Sequence, residues 1–316
     1  MHRMPAPPPP AVRLIWHGGP SVTLDLGGLE VLIDPAFSRP GDYPPWFTEA
    51  CANPGAPSVD DYLAARRPDY LFITHGHFDH FDLRTVERLA AALDFTIVGS
   101  PEVLRVCREV LGLPEERLME CPVAGSDEDR GAVRDGRDPE TGWLALEPRR
   151  VPPGAEPGTR TVAVRAVPGP HWLTGDEAET VARKFATRPD RYGALPCGGP
   201  MLGFVFTLGG LRLYVSGDTE ARGLPAGPFA AAVVCCGGEL INPKTKEREG
   251  PFLDEAALAG AACEKLRPQV LVPVHYDHPV FVTPFDPERL REELARYPNP
   301  PDLLVPPYNV WTTLVT

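Results

Sequence analysis

The sequence lacks any long apolar stretch and any export signal. No segment approaches the ~18–20 continuous apolar residues that a membrane span requires. The first ten residues are rich in proline and have no apolar central region of the kind found in secretory signals. We therefore expect no integral membrane segment and a cytoplasmic protein, with a disordered proline-rich tail over residues 1–11 and a single domain over residues 12–316.

Cysteine and positive charge are also scarce. The seven cysteines are scattered and odd in number, without zinc-knuckle spacing, which favours reduced thiols over a disulfide framework. The sequence has 31 Lys and Arg residues against 43 Asp and Glu residues, which gives a net charge of −12. Because a nucleic-acid surface normally needs a basic stripe, we expect a small-molecule substrate and no nucleic-acid partner. No pattern indicates an oligomeric state.

Histidine, by contrast, is concentrated at one place. Tyr70 to Ile73 reads as a short buried strand, and the next residues are Thr74-His-Gly-His-Phe-Asp-His80. Buried polar groups without partners cost ~1–3 kcal/mol each, whereas imidazole and carboxylate suit zinc, manganese or iron. Unrelated surface histidines are the alternative, but three of the eight histidines fall within six positions. The run therefore predicts a metal site.

This run resembles the signature of the metallo-β-lactamase superfamily. The resemblance implies an α/β fold, the αββα four-layer sandwich, in which two mixed β-sheets lie face to face between outer helices. It extends from about Leu14 to His275 and implies one ligand-bearing loop at each of several strand ends. A related stretch, Val167-Pro-x-x-His-Trp172, is similar to the branch that includes ascorbate-6-phosphate lactonases and N-acyl phosphatidylethanolamine phospholipase D.

The resemblance implies seven metal ligands and two divalent transition-metal ions, with zinc preferred over manganese or iron. The first ion would be bound by His75, His77 and His171, the second by Asp79, His80 and His275, and both by Asp218. A lone histidine is usually structural, but His171 follows the predicted strand Thr161–Val167 at a Pro-Gly break. His275 directly follows the predicted strand Gln269–Val274, which favours it as the ligand over His278.

Three further residues and two segments are expected near the centre. His278 is predicted to face the substrate or to support a ligand, and Asp34 to orient a ligand or cap a turn. His17 is expected to bond to nearby backbone, because Gly19 occupies the position where one branch of the superfamily has a histidine. The aromatic loop Tyr43–Phe47 and the segment Asp176–Pro200 are expected to form pocket walls.

Metal-assisted hydrolysis is the chemistry that this ligand set favours. Two ions would share a water and lower its pKa from ~15.7 toward ~7, so that a metal-bridged hydroxide cleaves an ester-type bond, either a lactone or a phosphodiester. Asp79 would also orient the nucleophile or pass a proton. The alternative is an iron-dependent sulfur dioxygenase on the same fold. A nuclease is disfavoured by the net charge, and no Gly-x-Ser-x-Gly elbow is present.

Periodicity and turn residues predict the remaining elements. Two hairpins with Gly-Gly turns are expected at Leu24–Ile33 and Leu202–Val215. Helices are expected from Leu83 to Leu93 with Asp82 as N-cap, and over Pro101–Leu111, Glu177–Phe185 and Glu255–Leu266. The connection from Cys121 to Thr159 is expected to hold one hairpin around Trp143 to Leu146.

Overall fold

The computed structural model describes residues 11–42, 49, 52–121, 143–148, 162–170, 201–241, 248–250, 252–279 and 281–316. Its first sheet has, in these residues, seven strands in the order β16-β1-β2-β3-β4-β5-β6. They are β1 (Val12–Trp16), β2 (Val22–Leu26), β3 (Glu30–Ile33), β4 (Tyr70–Phe72), β5 (Thr96–Gly99), β6 (Leu118–Glu120) and β16 (Thr312–Val315). Pairing is antiparallel from β16 to β3 and parallel from β3 to β6.

The second sheet repeats this plan, again with seven strands among the described residues, in the order β15-β14-β11-β10-β9-β8-β7. They are β7 (Leu144–Leu146), β8 (Val162–Gly169), β9 (Met201–Leu208), β10 (Leu211–Val215), β11 (Phe229–Cys235), β14 (Pro268–Val274) and β15 (Asp302–Leu303). Pairing is antiparallel from β7 to β10 and parallel from β10 to β15. Strands β12 (Leu240–Ile241) and β13 (Arg248–Glu249) form a separate ribbon.

The two sheets bury one apolar layer between them, and helices cover their outer faces. Phe72 of the first sheet meets Phe204 and Phe206 of the second, with ring centroids 4.9 and 5.3 Å apart. Helices α1 (Val59–Ala65), α2 (Leu83–Ala92) and α3 (Pro101–Glu109) pack on the first sheet. Helices α4 (Glu255–Ala261) and α5 (Pro287–Leu294) pack on the second. This arrangement confirms the predicted four-layer αββα sandwich.

Local sequence explains where the helix next to the histidine run begins. Asp82 accepts hydrogen bonds from the backbone N–H groups of Arg84 and Thr85, as an N-cap should. Its second carboxylate oxygen accepts from the backbone N–H of Ser38 and the hydroxyl of Thr85. The predicted cap is therefore confirmed, and it also fixes the loop that follows β3.

Several predicted elements differ in extent. Strand β8 extends beyond the predicted Val167 through Pro168 to Gly169, and both residues pair with β9. Of the hairpin predicted around Trp143 to Leu146, the described residues contain strand β7, which pairs antiparallel with β8. The predicted helix Glu255–Leu266 is α-helical only to Ala261 and then widens into a π-helical turn. Helix Glu177–Phe185 lies outside the described residues.

The last part of the chain joins both sheets. Strand β15 extends the second sheet and β16 extends the first, so we call residues 302–316 the C-terminal strap. Neither strand was predicted, and α1, α5 and β6 were also missed. No helix in the described ranges is long and apolar enough to cross a membrane.

Candidate metal centre

Three loops meet at one edge of the sandwich, each following the carboxyl end of a strand. The histidine run follows β4, Asp218 follows β10 and His275 follows β14. The carboxyl ends of parallel strands are where α/β proteins commonly place ligands. The two sheets are joined at this edge by a hydrogen bond from Leu202 N–H to Thr74 C=O of 3.0 Å.

Within the described residues, two groups of side chains can each hold a metal ion. One is His75, His77 and Asp218, and the other is Asp79, His80 and His275; in each group the ligand atoms lie within 4.8 Å of one another. His75 Nε2 lies 3.0 Å from His77 Nδ1. His275 Nε2 lies 3.3 Å from Asp79 Oδ2.

Asp218 lies between the two groups. Its Oδ1 is 3.2 Å from His80 Nε2 and 3.9 Å from His275 Nε2, although it belongs to the group of His75 and His77. The structure therefore brings together six of the seven predicted ligands, with the aspartate in the middle. The seventh, His171, lies outside the described residues.

The nitrogen atoms of His80 show that this edge suits a cation. His80 Nδ1–H donates to Asp34 Oδ2 at 2.7 Å, which leaves the lone pair of Nε2 directed into the cluster. That Nε2 is buried and, among the described residues, its nearest carboxylate is Asp218 Oδ1 at 3.2 Å, without the geometry of a hydrogen bond. Imidazole nitrogens and carboxylate oxygens in this mixture are the ligands of transition metals. The residues present thus fit a metal centre.

The electrostatics agree with this fit. Burial alone would lower the pKa of His80, but the carboxylates of Asp218 and Asp34 raise that pKa well above its usual value. Burial would raise the pKa of Asp79, but the hydrogen bond from His275 and the neighbouring His80 hold that pKa well below its usual range. Without an ion the carboxylates favour a proton on His80, and a metal ion would take the place of that proton at Nε2.

Comparison with known proteins identifies the family. A sequence model of the family described as the β-lactamase superfamily domain matches residues 13–275, a range that contains both groups of side chains. The chain belongs to this superfamily. The fold and the loop positions described above are those that the sequence resemblance implied.

Individual relatives in the superfamily are distant. The chain is 30% identical over 115 residues to a UPF0173 metal-dependent hydrolase of Pyrobaculum arsenaticum, covering 36% of this chain and 44% of that protein. It is 24% identical over 283 residues to a UPF0173 metal-dependent hydrolase of Archaeoglobus fulgidus, covering 89% and 90%. The chain therefore spans less than half of the Pyrobaculum relative.

A solved structure supports the fold. Igni18, described as a metallo hydrolase from Ignicoccus hospitalis, is 17% identical and has a TM-score of 0.58, covering 96% of this chain and 98% of that one. At this identity the likeness concerns the superfamily fold alone.

Two residues outside the candidate ligand groups, Asp34 and Thr74, hydrogen-bond to each other and to the histidine run. Asp34 has a left-handed backbone (φ 48°), and its carboxylate accepts from Thr74 N–H at 2.8 Å, Thr74 Oγ1 at 2.6 Å and His80 Nδ1 at 2.7 Å. Asp34 therefore contacts a candidate ligand, as predicted. The role of Thr74 was missed, although its position directly before His75 was a usable signal.

His278 and His17 occupy different surroundings. The His278 ring stacks on that of His275 at 5.5 Å, and burial lowers the pKa of His278 to about 4. It belongs to neither ligand group in the described ranges.

The His17 ring bonds to the side chains of Asn309 (2.7 Å) and Thr23 (2.8 Å), so the expectation of backbone partners was wrong. The prediction failed because Asn309 belongs to the C-terminal strap, and nothing in the sequence indicated that the strap lies beside His17.

The remaining predictions concern His171 and the two pocket walls. Pro170 C=O accepts a hydrogen bond from Glu220 N–H at 3.4 Å, so the chain just before His171 lies against the loop that carries Asp218. The proposed pocket walls, Tyr43–Phe47 and Asp176–Pro200, lie outside the described residues.

Proposed function

We propose that this protein is a metal-dependent hydrolase that cleaves an ester-type bond. The observation that carries the proposal is the position of Asp218 between two groups of His and Asp side chains, each with ligand atoms within 4.8 Å. His75, His77, His171 and Asp218 would hold one ion, and Asp79, His80, His275 and Asp218 a second. The name of the Archaeoglobus relative, a metal-dependent hydrolase aligned over 89% of this chain, supports the same class.

Bound ions, with zinc as the first choice, would supply Lewis acidity that activates water and polarises the bond to be cleaved. The chain's own groups would do the rest. Asp79 would orient the attacking water with its carboxylate, which the 3.3 Å contact with His275 keeps in place. Asp34 would hold His80 in the tautomer that binds metal. His278, stacked on His275, would face the substrate.

A small anionic metabolite or lipid headgroup is the proposed substrate, cleaved at a lactone or phosphodiester bond. The protein carries a net charge of −12, so the metal edge is the place where an anion would be attracted rather than repelled. The stretch Val167-Pro-x-x-His-Trp172, which is similar to the lactonase and phospholipase branch, supports this choice.

The test is a reconstitution experiment. Protein stripped with a chelator should hydrolyse nothing in a panel of lactones, phosphodiesters, thioesters and β-lactams, and zinc or manganese should restore cleavage of a lactone or phosphodiester. An Asp79→Asn variant, similar in shape but uncharged, should stay at least ~100-fold less active after reconstitution. Persulfide-dependent oxygen uptake with iron, and no hydrolysis in the panel, would contradict the proposal and favour the dioxygenase.

A further inference from the structure

The backbone at His275 has an unusual conformation. His275 is left-handed (φ 71°), a region that non-glycine residues rarely adopt. Its N–H donates to the carbonyl of Gly19 at 3.0 Å. The same carbonyl accepts from the indole N–H of Trp16 at 2.8 Å. The place of this candidate ligand therefore depends on the turn at Gly19.

A partly buried carboxylate holds that turn. Gly19 N–H lies 3.1 and 3.2 Å from the two oxygens of Asp277, which follows His275 by two residues. The Tyr308 hydroxyl donates to Asp277 Oδ2 at 2.8 Å. Gly19, His275, Asp277 and Tyr308 thus form one connected set of hydrogen bonds, which we call the His275 brace.

Tyr308 is itself fixed by the body of the protein. Its ring packs on Trp16 with centroids 4.6 Å apart. On another side is Gly55, where an added Cβ would lie 2.5 Å from the Tyr308 ring. The next residue, Asn309, donates from its backbone to Trp16 C=O at 2.8 Å and from its side chain to Gly55 C=O at 2.7 Å. These contacts define where the half-exposed Tyr308 ring lies, with its hydroxyl directed at Asp277.

We propose that Tyr308 is a positioning residue for His275 and, through the His275 brace, sets the affinity of the ion held by Asp79, His80 and His275. This inference rests on the proposed metal centre. It goes beyond it because Tyr308 and Asp277 both lie outside residues 13–275, the range that matches the superfamily. The C-terminal strap thereby contributes to the centre without supplying a ligand.

Removing the Tyr308 hydroxyl should weaken the binding of one of the two ions and leave the other unchanged. Partners that orient metal ligands typically contribute 10–100-fold to metal affinity. Tyr308 acts through two further contacts, so Tyr308→Phe should weaken binding of the second ion by about tenfold, the lower end of that range. The ion held by His75 and His77 should be unaffected, because neither residue belongs to the brace. Asp277→Asn should have the same selectivity and a larger effect, because it replaces one of the two accepting oxygens with an NH2 group that cannot accept a hydrogen bond.

The experiment is a zinc titration of metal-free protein against a chromophoric chelator, which resolves two binding steps. The step that His275→Ala abolishes identifies the second ion. Thr312→Val is the matched control, because it removes a strap hydroxyl outside the His275 brace, whose partner among the described residues is Val310 C=O at 3.4 Å. The ratio of the two affinities is the decisive readout, since a general loosening of the fold would lower both.

The outcomes are distinct. A Tyr308→Phe variant in which only the second step is weaker, beside an unchanged Thr312→Val variant, supports the brace. Equal affinities in wild type and Tyr308→Phe, or equal weakening of both steps, overturn it while leaving the metal centre intact. A wild-type protein that binds no zinc overturns both the brace and the proposed function.

Discussion

At the residue scale, two histidines three positions apart are assigned different tasks. His275 Nε2 lies 3.3 Å from Asp79 and belongs to a ligand group. His278 is equally buried and stacks on His275, yet lies outside the groups found in the described residues. The backbone explains the difference, because His275 directly follows β14 whereas His278 closes a turn back onto His275 C=O at 3.1 Å.

This division predicts different effects of two matched substitutions. His275→Ala should remove one ion and nearly all hydrolysis, because a ligand is lost. His278→Ala should leave the metal content unchanged and lower turnover or raise KM. Elemental analysis and steady-state kinetics on the same preparations measure both. Equal metal loss in the two variants would show that His278 also binds metal.

What the sequence could predict at this scale depended on proximity along the chain. The run from His75 to His80 contains four candidate ligands, so their grouping was readable directly. The contact between Asp34 and His80 spans 46 residues, and it was predicted only as a general role at a strand end. The His275 brace was not predicted, because Tyr308 reaches Asp277 through the C-terminal strap.

At the scale of elements, the C-terminal strap is joined to the end of β1 by a buried histidine. The His17 ring bridges Asn309 Oδ1 and Thr23 Oγ1. Burial lowers the pKa of His17 to about 4. The ring is therefore neutral in the folded protein across a pH range in which an unfolded chain, with a pKa near 6.5, would bind a proton.

This pKa difference predicts how stability depends on pH. Because the folded pKa is the lower one, the contribution of His17 is complete above pH ~6.5 and is lost as the pH falls toward 4. At ~1.4 kcal/mol per pKa unit the loss is about 3 kcal/mol. Urea unfolding of metal-free protein at several pH values should show His17→Gln losing less stability over this interval than wild type.

The control for this prediction is His2→Gln, in the segment that the sequence predicts to be a disordered tail. It should follow the wild-type curve, because a histidine in a disordered tail would have the same surroundings in the folded and unfolded states. Parallel curves for wild type and His17→Gln would contradict the account of His17.

The prediction of strands and helices succeeded where hydrophobic periodicity and a turn or cap residue indicated the same element. The Gly-Gly hairpins and the Asp82-capped helix combine clear periodicity with a turn or cap residue. Strands β6, β15 and β16 have two to four residues each. They are strands because a neighbouring sheet edge pairs with them, and so short a stretch carries no periodicity of its own.

At the scale of the whole molecule, the two sheets share one strand plan, and the candidate centre lies where their ligand-bearing loops meet. The first sheet contributes the run after β4, and the second contributes Asp218 and His275. Neither sheet alone holds a complete set. The centre is therefore complete only when the two sheets are packed together, and bound metal should stabilise the folded state.

The most direct test of this account is the metal content of the full chain, reconstituted with zinc and dialysed to remove loosely held ions. Elemental analysis should find two ions per chain, because the described candidate ligands form two groups with Asp218 between them, and His171 is predicted to complete the first. Trace metal only, in protein that is folded by circular dichroism, would contradict the central claim that this edge of the sandwich is a metal centre.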